Sequence, residues 1–168
     1  MHSTDISTLW GYRSDRMSIG ETSGPIHPVP TRRSGYSYLF YDKHHGRGGP
    51  EAAQWLPSLS RDDEFAVFDV ADRDDLSDER GWLYGMRLRD EAGHIPDVGT
   101  WGQQIAEFPL ARSNDPWHGY PLWPLGEEGP ENRKGEKGRP SKSVFLRMEA
   151  LGLITHRERK KLYKGDHL

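Results

Sequence analysis

Glu64-Phe65-Ala66-Val67-Phe68-Asp69-Val70 is the stretch whose reading decides the fold. It is rich in aromatic and β-branched residues, which suit a pleated, half-buried surface. Two alternating faces run through it: Phe65, Val67 and Asp69 on one, Ala66, Phe68 and Val70 on the other. The second is the better core face, so the pattern predicts a strand. Upstream, Tyr36-Ser37-Tyr38-Leu39-Phe40-Tyr41 is a stronger strand of the same kind. Downstream, Gly81-Trp82-Leu83-Tyr84-Gly85-Met86-Arg87-Leu88-Arg89 ends in clean alternation, with Met86 and Leu88 inward and Arg87 and Arg89 outward. Asp90-Glu91-Ala92-Gly93-His94 then reads as a turn, and residues 101–108 as a strand or short helix ending at Pro109. With a helical insertion at residues 51–56, opened by Pro50 and stopped by Pro57, residues 36–110 read as an antiparallel meander with long loops. Before it, residues 8–13 suggest a short strand and residues 20–35 a loop broken by Gly and Pro.

The other end of the chain has a different texture. Residues 127–140 are Gly, Pro and charge, with almost nothing to bury, and read as a linker or exposed loop. Ser141 then caps a helix whose Val144, Met148 and Leu151 share a face, with Phe145 beside them. Gly152 ends that helix. Thr155 and Glu158 have the spacing of a capping box for a second helix over residues 156–164, closed by Gly165. The expected fold class is therefore α+β: a small antiparallel β-meander body over residues 1–126, the linker, and a basic C-terminal helical hairpin over residues 141–168. Residues 144–155 resemble the last helix and turn of winged-helix domains. A Gly/Pro linker stands where the upstream helices of that family would be, so no function is implied.

A chain of 168 residues suits one domain. Six Trp, seven Tyr and five Phe argue against disorder. The absence of Cys excludes disulfides, thiolate metal sites and Cys nucleophiles. The first residues lack the basic and apolar regions of a signal peptide, and no apolar run approaches the length of a membrane span. A cytoplasmic protein with no membrane association is expected. Charge is divided along the chain: residues 1–130 hold 12 Lys and Arg against 21 Asp and Glu, whereas residues 131–168 hold 11 against 5. Such asymmetry marks either a tail that binds a partner or a tail docked on its own acidic body.

Asn114-Asp115-Pro116-Trp117-His118-Gly119-Tyr120-Pro121-Leu122-Trp123-Pro124-Leu125 joins these two halves. Its prolines deny it a helix interior or a central strand, yet its side chains are large and flat. Trp117, Tyr120 and Trp123 are candidate walls of a recognition surface, or else plugs of the core. This loop carries the leading expectation, a small binding or accessory protein, of toxin-neutralising or antiphage type among other options, that recognises a protein partner. A second reading is nucleic-acid binding by the tail, through Arg133, Lys134, Lys137, Arg139, Arg157, Arg159, Lys160 and Lys161, because Lys and Arg neutralise phosphates. A third is a histidine-dependent hydrolase or nuclease. There His118 is the candidate general base, and Asp42, His44 and His45 are supplied by the loop after the first strong strand. The residues lean away from an enzyme: no nucleophile elbow, no P-loop and no defensible metal-ligand spacing is present. No metal and no cofactor are expected. The acidic run Asp72, Asp74, Asp75, Asp78 and Glu79 lacks the order of a calcium loop and reads as a solvated loop or a dock for basic groups.

Overall fold

The computed structural model describes residues 28–33, 35–46, 53–112, 115–122, 140–166 and 168. The expected strand at residues 8–13, most of the linker at 127–140, and the candidate residues Trp123, Arg133, Lys134, Lys137 and Arg139 lie outside the described residues. Among the described residues the order is β1 (Val29–Pro30), β2 (Ser37–Tyr38), a 3-10 turn (Asp42–His44), α1 (Arg61–Arg73), β3 (Leu83–Gly85), β4 (Ala106–Phe108), β5 (Tyr120–Pro121), α2 (Lys142–Ala150) and α3 (His156–Lys164). The class is α+β, with two small antiparallel sheets, β1-β2 and β3-β4-β5. In the larger sheet Leu83 faces Phe108, Gly85 faces Ala106, and Glu107 faces Tyr120.

The stretch 64–70 is not a strand. It is the middle of α1, a 13-residue helix. Its start lies just outside the seven residues that alternate: Ser60 accepts from the Asp63 amide at 3.1 Å, and Asp63 accepts from the Ser60 amide at 3.2 Å. This reciprocal pair satisfies amides that would otherwise be orphaned at the helix start. Three carboxylates in the first turn suit the positive end of the helix dipole. Buried Glu64, Val67, Phe68 and Ala71 fall at positions i, i+3, i+4 and i+7, one face of a helix. That face lies on the sheet. A Cβ at Gly85 would stand 2.1 Å from the Val67 carbonyl oxygen, so only glycine lets α1 cross β3 this closely.

Other local expectations shift as well. Residues 53–56 are extended rather than helical, with Trp55 bridging to Gly99. The aromatic strand is only two residues long in β2. It pairs with β1 and meets Trp117 through a parallel bridge. Met86 is buried as expected, but Leu88 is exposed, because regular pairing stops at Gly85. On α2, Val144, Phe145 and Met148 are buried while Leu151 is exposed.

Two apolar clusters hold the parts together. One gathers Tyr38, Phe40, Trp55, Phe68, Phe108 and Trp117, among others, beneath α1. The second joins Tyr84, Met86 and Ile105 of the body to Val144, Phe145 and Met148 of α2. The hairpin therefore completes a core that the sheet begins. Ion pairs tie the β1-β2 ribbon to α1: Arg32 with Asp69, and Arg33 with buried Asp72 at 2.8 Å. No helix among the described residues is long and apolar enough to cross a membrane.

Candidate functional site

Two places gather the residues with candidate roles. The first lies where β2 and the 3-10 turn meet the loop before β5. The Leu39 amide donates to the Trp117 carbonyl and the Trp117 amide to the Ser37 carbonyl, both at 2.7 Å. The indole nitrogen of Trp55 donates to the Gly119 carbonyl at 3.2 Å. These bonds place residues 38–45 beside residues 117–120. Gly119 is required at its position: a Cβ there would lie 2.1 Å from the Phe108 ring.

Trp117 is 3% exposed and packs against Phe68, with ring centroids 5.9 Å apart. It is a core residue, and its ring presents no wall to a partner in this arrangement. Tyr120 is half-buried and stacks on His44 at 4.9 Å. His44 is itself buried, and its Nδ1 donates to the Ala53 carbonyl at 2.8 Å. Tyr41, 45% exposed, lies between His44 at 5.8 Å and His118 at 5.4 Å. His118 is half-buried. Desolvation pushes its pKa below the ordinary value, partly offset by the nearby Asp115 carboxylate, so the ring favours its neutral form near pH 7. Asp42 opens the 3-10 turn, where its carbonyl accepts from the His45 amide at 3.0 Å.

The residue that sequence reasoning missed is Glu64. Its carboxylate is 1% exposed. One oxygen accepts from the Tyr38 hydroxyl at 2.7 Å, and the other stands 2.8 Å from Nε2 of His45. The Tyr38 oxygen also accepts from the Gly119 backbone, while burial and the adjacent Glu64 push the phenol's pKa up and keep it protonated. Hydrogen bonds therefore run from the Gly119 amide through Tyr38 to Glu64, and His45 lies beside the far carboxylate oxygen without a hydrogen bond to it. A carboxylate inside an otherwise apolar stretch was the available signal, but as a strand residue Glu64 had no predicted partner. Among the described residues, no group of three or more His, Asp and Glu is arranged to hold a metal ion.

The second place is the outer side of α3. Thr155 and Glu158 form the expected capping box, with Glu158 donating to the Thr155 hydroxyl at 3.2 Å and accepting from its amide at 2.6 Å. Glu158 also binds Arg89, one bond being 2.9 Å, and Arg159 pairs with Glu149. The acidic loop is occupied by other arginines: Asp72 by Arg33, Asp74 by Arg73 at 2.7 Å, and Asp78 by Arg80 at 2.7 Å. From the hairpin, Arg147 donates to the Asp74 carbonyl at 2.8 Å. Arg157, Lys160, Lys161 and Lys164 make no ion pair with any described residue. They fall at i, i+3, i+4 and i+7, so they line one stripe of the helix.

No protein-family model, curated protein or solved structure matches this chain.

Proposed function

We propose that the protein binds nucleic acid through the cationic stripe of α3. The observation that carries this reading is that Arg157, Lys160, Lys161 and Lys164 share one face while Glu158 and Glu149 bind other partners. An acidic body that neutralised its own tail would have placed Asp72, Asp74 or Asp78 against these side chains, and each of those carboxylates is held by another arginine. Helix stability explains only part of the stripe. Lys161 and Lys164 suit the negative end of the helix dipole, but Arg157 sits in the first turn, where a cation is unfavourable by about 0.3–1 kcal/mol. A polyanionic strand offers evenly spaced charges to such a row, and counterion release drives the association. Arg133, Lys134, Lys137 and Arg139 add cations upstream of the hairpin in the sequence.

Recognition of a protein through residues 114–125 keeps Tyr120, His118 and the adjoining Tyr41 as contact groups. It is the weaker reading because Trp117 is committed to the core and the Tyr120 ring to His44.

Fluorescence anisotropy with labelled single-stranded RNA and duplex DNA across a salt series tests the proposal. Four phosphate contacts give a log–log salt slope of about −3 for a single strand. Replacing Arg157, Lys160, Lys161 and Lys164 together by Gln should weaken binding by about tenfold or more and flatten that slope, with the circular-dichroism spectrum unchanged. No binding at low salt, or binding indifferent to salt, would overturn the reading.

A further inference from the structure

The cationic side of α3 also carries an aromatic ring. Arg157, Lys160, Tyr163 and Lys164 are exposed, and Lys161 is half-buried. Lys160 and Tyr163 stand three residues apart, so they are neighbours on the helix surface. Lys164 follows directly. The opposite side of α3 meets the body: Leu162 packs against the second apolar cluster, and Glu158 binds Arg89. Leu162 thus supplies the apolar contact that docks the helix, and the Tyr163 ring stays at the rim, 38% exposed. Phe145 of α2, itself 1% exposed, steadies that ring: the two planes meet at 82° with centroids 6.1 Å apart. Perpendicular ring pairs are favourable, and a ring already held in place loses little conformational freedom on meeting a ligand. Its position among cations has a chemical consequence. Lysine and arginine attract the phosphates of any nucleic acid, single-stranded or duplex. An aromatic ring does discriminate, because paired bases turn their faces to one another whereas unpaired bases can lie flat against it.

We propose that α3 selects single-stranded nucleic acid over duplex, with Tyr163 as the ring on which one base stacks. Lys160 and Lys164, its neighbours on that face, meet the adjoining phosphates. The inference rests on the nucleic-acid reading above and names the class of strand that the same site takes. From Arg157 to Lys164 the row covers about 10 Å along the helix axis, room for only a few phosphates. Charge alone therefore gives a modest attraction that ignores strandedness, and the stacked base supplies the discrimination. Every base has a flat face, so the preference is for an unpaired strand and not for a sequence. Stacking and phosphate contacts do not involve the 2′ position, so DNA and RNA strands bind alike.

The test uses the full chain and labelled oligonucleotides of one length at one salt concentration: a mixed-sequence DNA strand, the same sequence as RNA, its DNA duplex, and an abasic strand with the same phosphates. Binding is read by anisotropy. The DNA and RNA strands should bind about fivefold or more tighter than the abasic strand, and tighter than the duplex. This comparison uses the unaltered protein, so it decides the matter even where a substitution disturbs the hairpin. Tyr163→Leu should bring the base-bearing strands down to the abasic level while duplex affinity stays within about twofold, with the circular-dichroism spectrum unchanged. Tyr163→Phe keeps the ring and should keep the preference. Base-bearing and abasic strands that bind equally, or a duplex bound as tightly as the single strand, overturn this inference and leave the nucleic-acid reading standing. Strand and duplex weakened alike by Tyr163→Leu would give the ring a structural role only, and also overturn it. No binding to any of these oligonucleotides overturns both.

Discussion

Glu158→Gln removes one charge from the place where the helical hairpin is fastened to the body, and its effect can be worked out from the contacts. Glu158 receives two bonds from the Arg89 guanidinium and one from the Thr155 amide. Those Arg89 bonds, against a smaller desolvation penalty and aided by Thr155, hold its pKa near 2, against an ordinary 4.5. At about 1.4 kcal/mol per unit, the full difference would correspond to roughly 3 kcal/mol. Both side chains keep some solvent contact, 30% for Arg89 and 21% for Glu158, so screening reduces this to about 1–2 kcal/mol. Glutamine keeps one acceptor for the cap but loses the charge, which adds about 0.5 kcal/mol. The expected loss at pH 7 is therefore about 2 kcal/mol, or a fall in Tm of roughly 4–8 °C for a chain of this size. Because the carboxylate is depressed in the folded state, its contribution is fully present above pH 4.5 and fades as the pH falls towards 2. Urea unfolding followed by Trp fluorescence, at pH 7 and again near pH 3, measures both effects. The midpoint should fall with an unchanged m value at pH 7, and the gap between variant and parent should narrow in acid. A gap under about 0.5 kcal/mol at pH 7, or one that stays constant into acid, would refute the assignment of hairpin docking to this pair.

Other contacts give further expected outcomes. Trp117→Ala should cost about 3–5 kcal/mol, because it empties the space between Phe68 and Tyr36, and circular dichroism at 37 °C should show partial or complete unfolding. A well-folded variant would return Trp117 to the surface. His118 should titrate below the ordinary 6.5 by proton NMR, and Asp115→Asn should lower its midpoint further, since that carboxylate raises it. With the folded value below the unfolded one, the His118 site opposes folding increasingly as the pH falls through 6.5, so replacing His118 by Asn should improve acid stability relative to the parent. An unperturbed midpoint would remove the case for His118 as a neutral base.

The helical hairpin was legible because its signals are local. Thr155 and Glu158 are three residues apart, and the backbone bonds they make are set by that spacing wherever the helix lies. Ser60 and Asp63 have the same spacing at the start of α1, but the alternation of Phe65, Val67 and Phe68 points to a strand. Seven residues of mixed apolar character fit both periods, and the cap just upstream distinguishes them. The lengths of β2 through β5 were not legible, since each strand ends where its partner ends.

By itself, then, the sequence determined the α+β class, the two C-terminal helices with the Thr155–Glu158 cap of the second, the absence of thiol chemistry and the basic character of the tail, whereas Ser141 stands at the start of α2 without a side-chain capping bond. Only the tertiary structure decided that Trp117 is core, that Glu64 lies between Tyr38 and His45, and that the Asp72 and Asp78 carboxylates pair with arginines outside the tail hairpin. The reason is distance along the chain. A cap needs a partner three residues away, whereas Glu64 meets residues 26 and 19 positions earlier in the chain, an encounter that exists only after α1 has packed across β3.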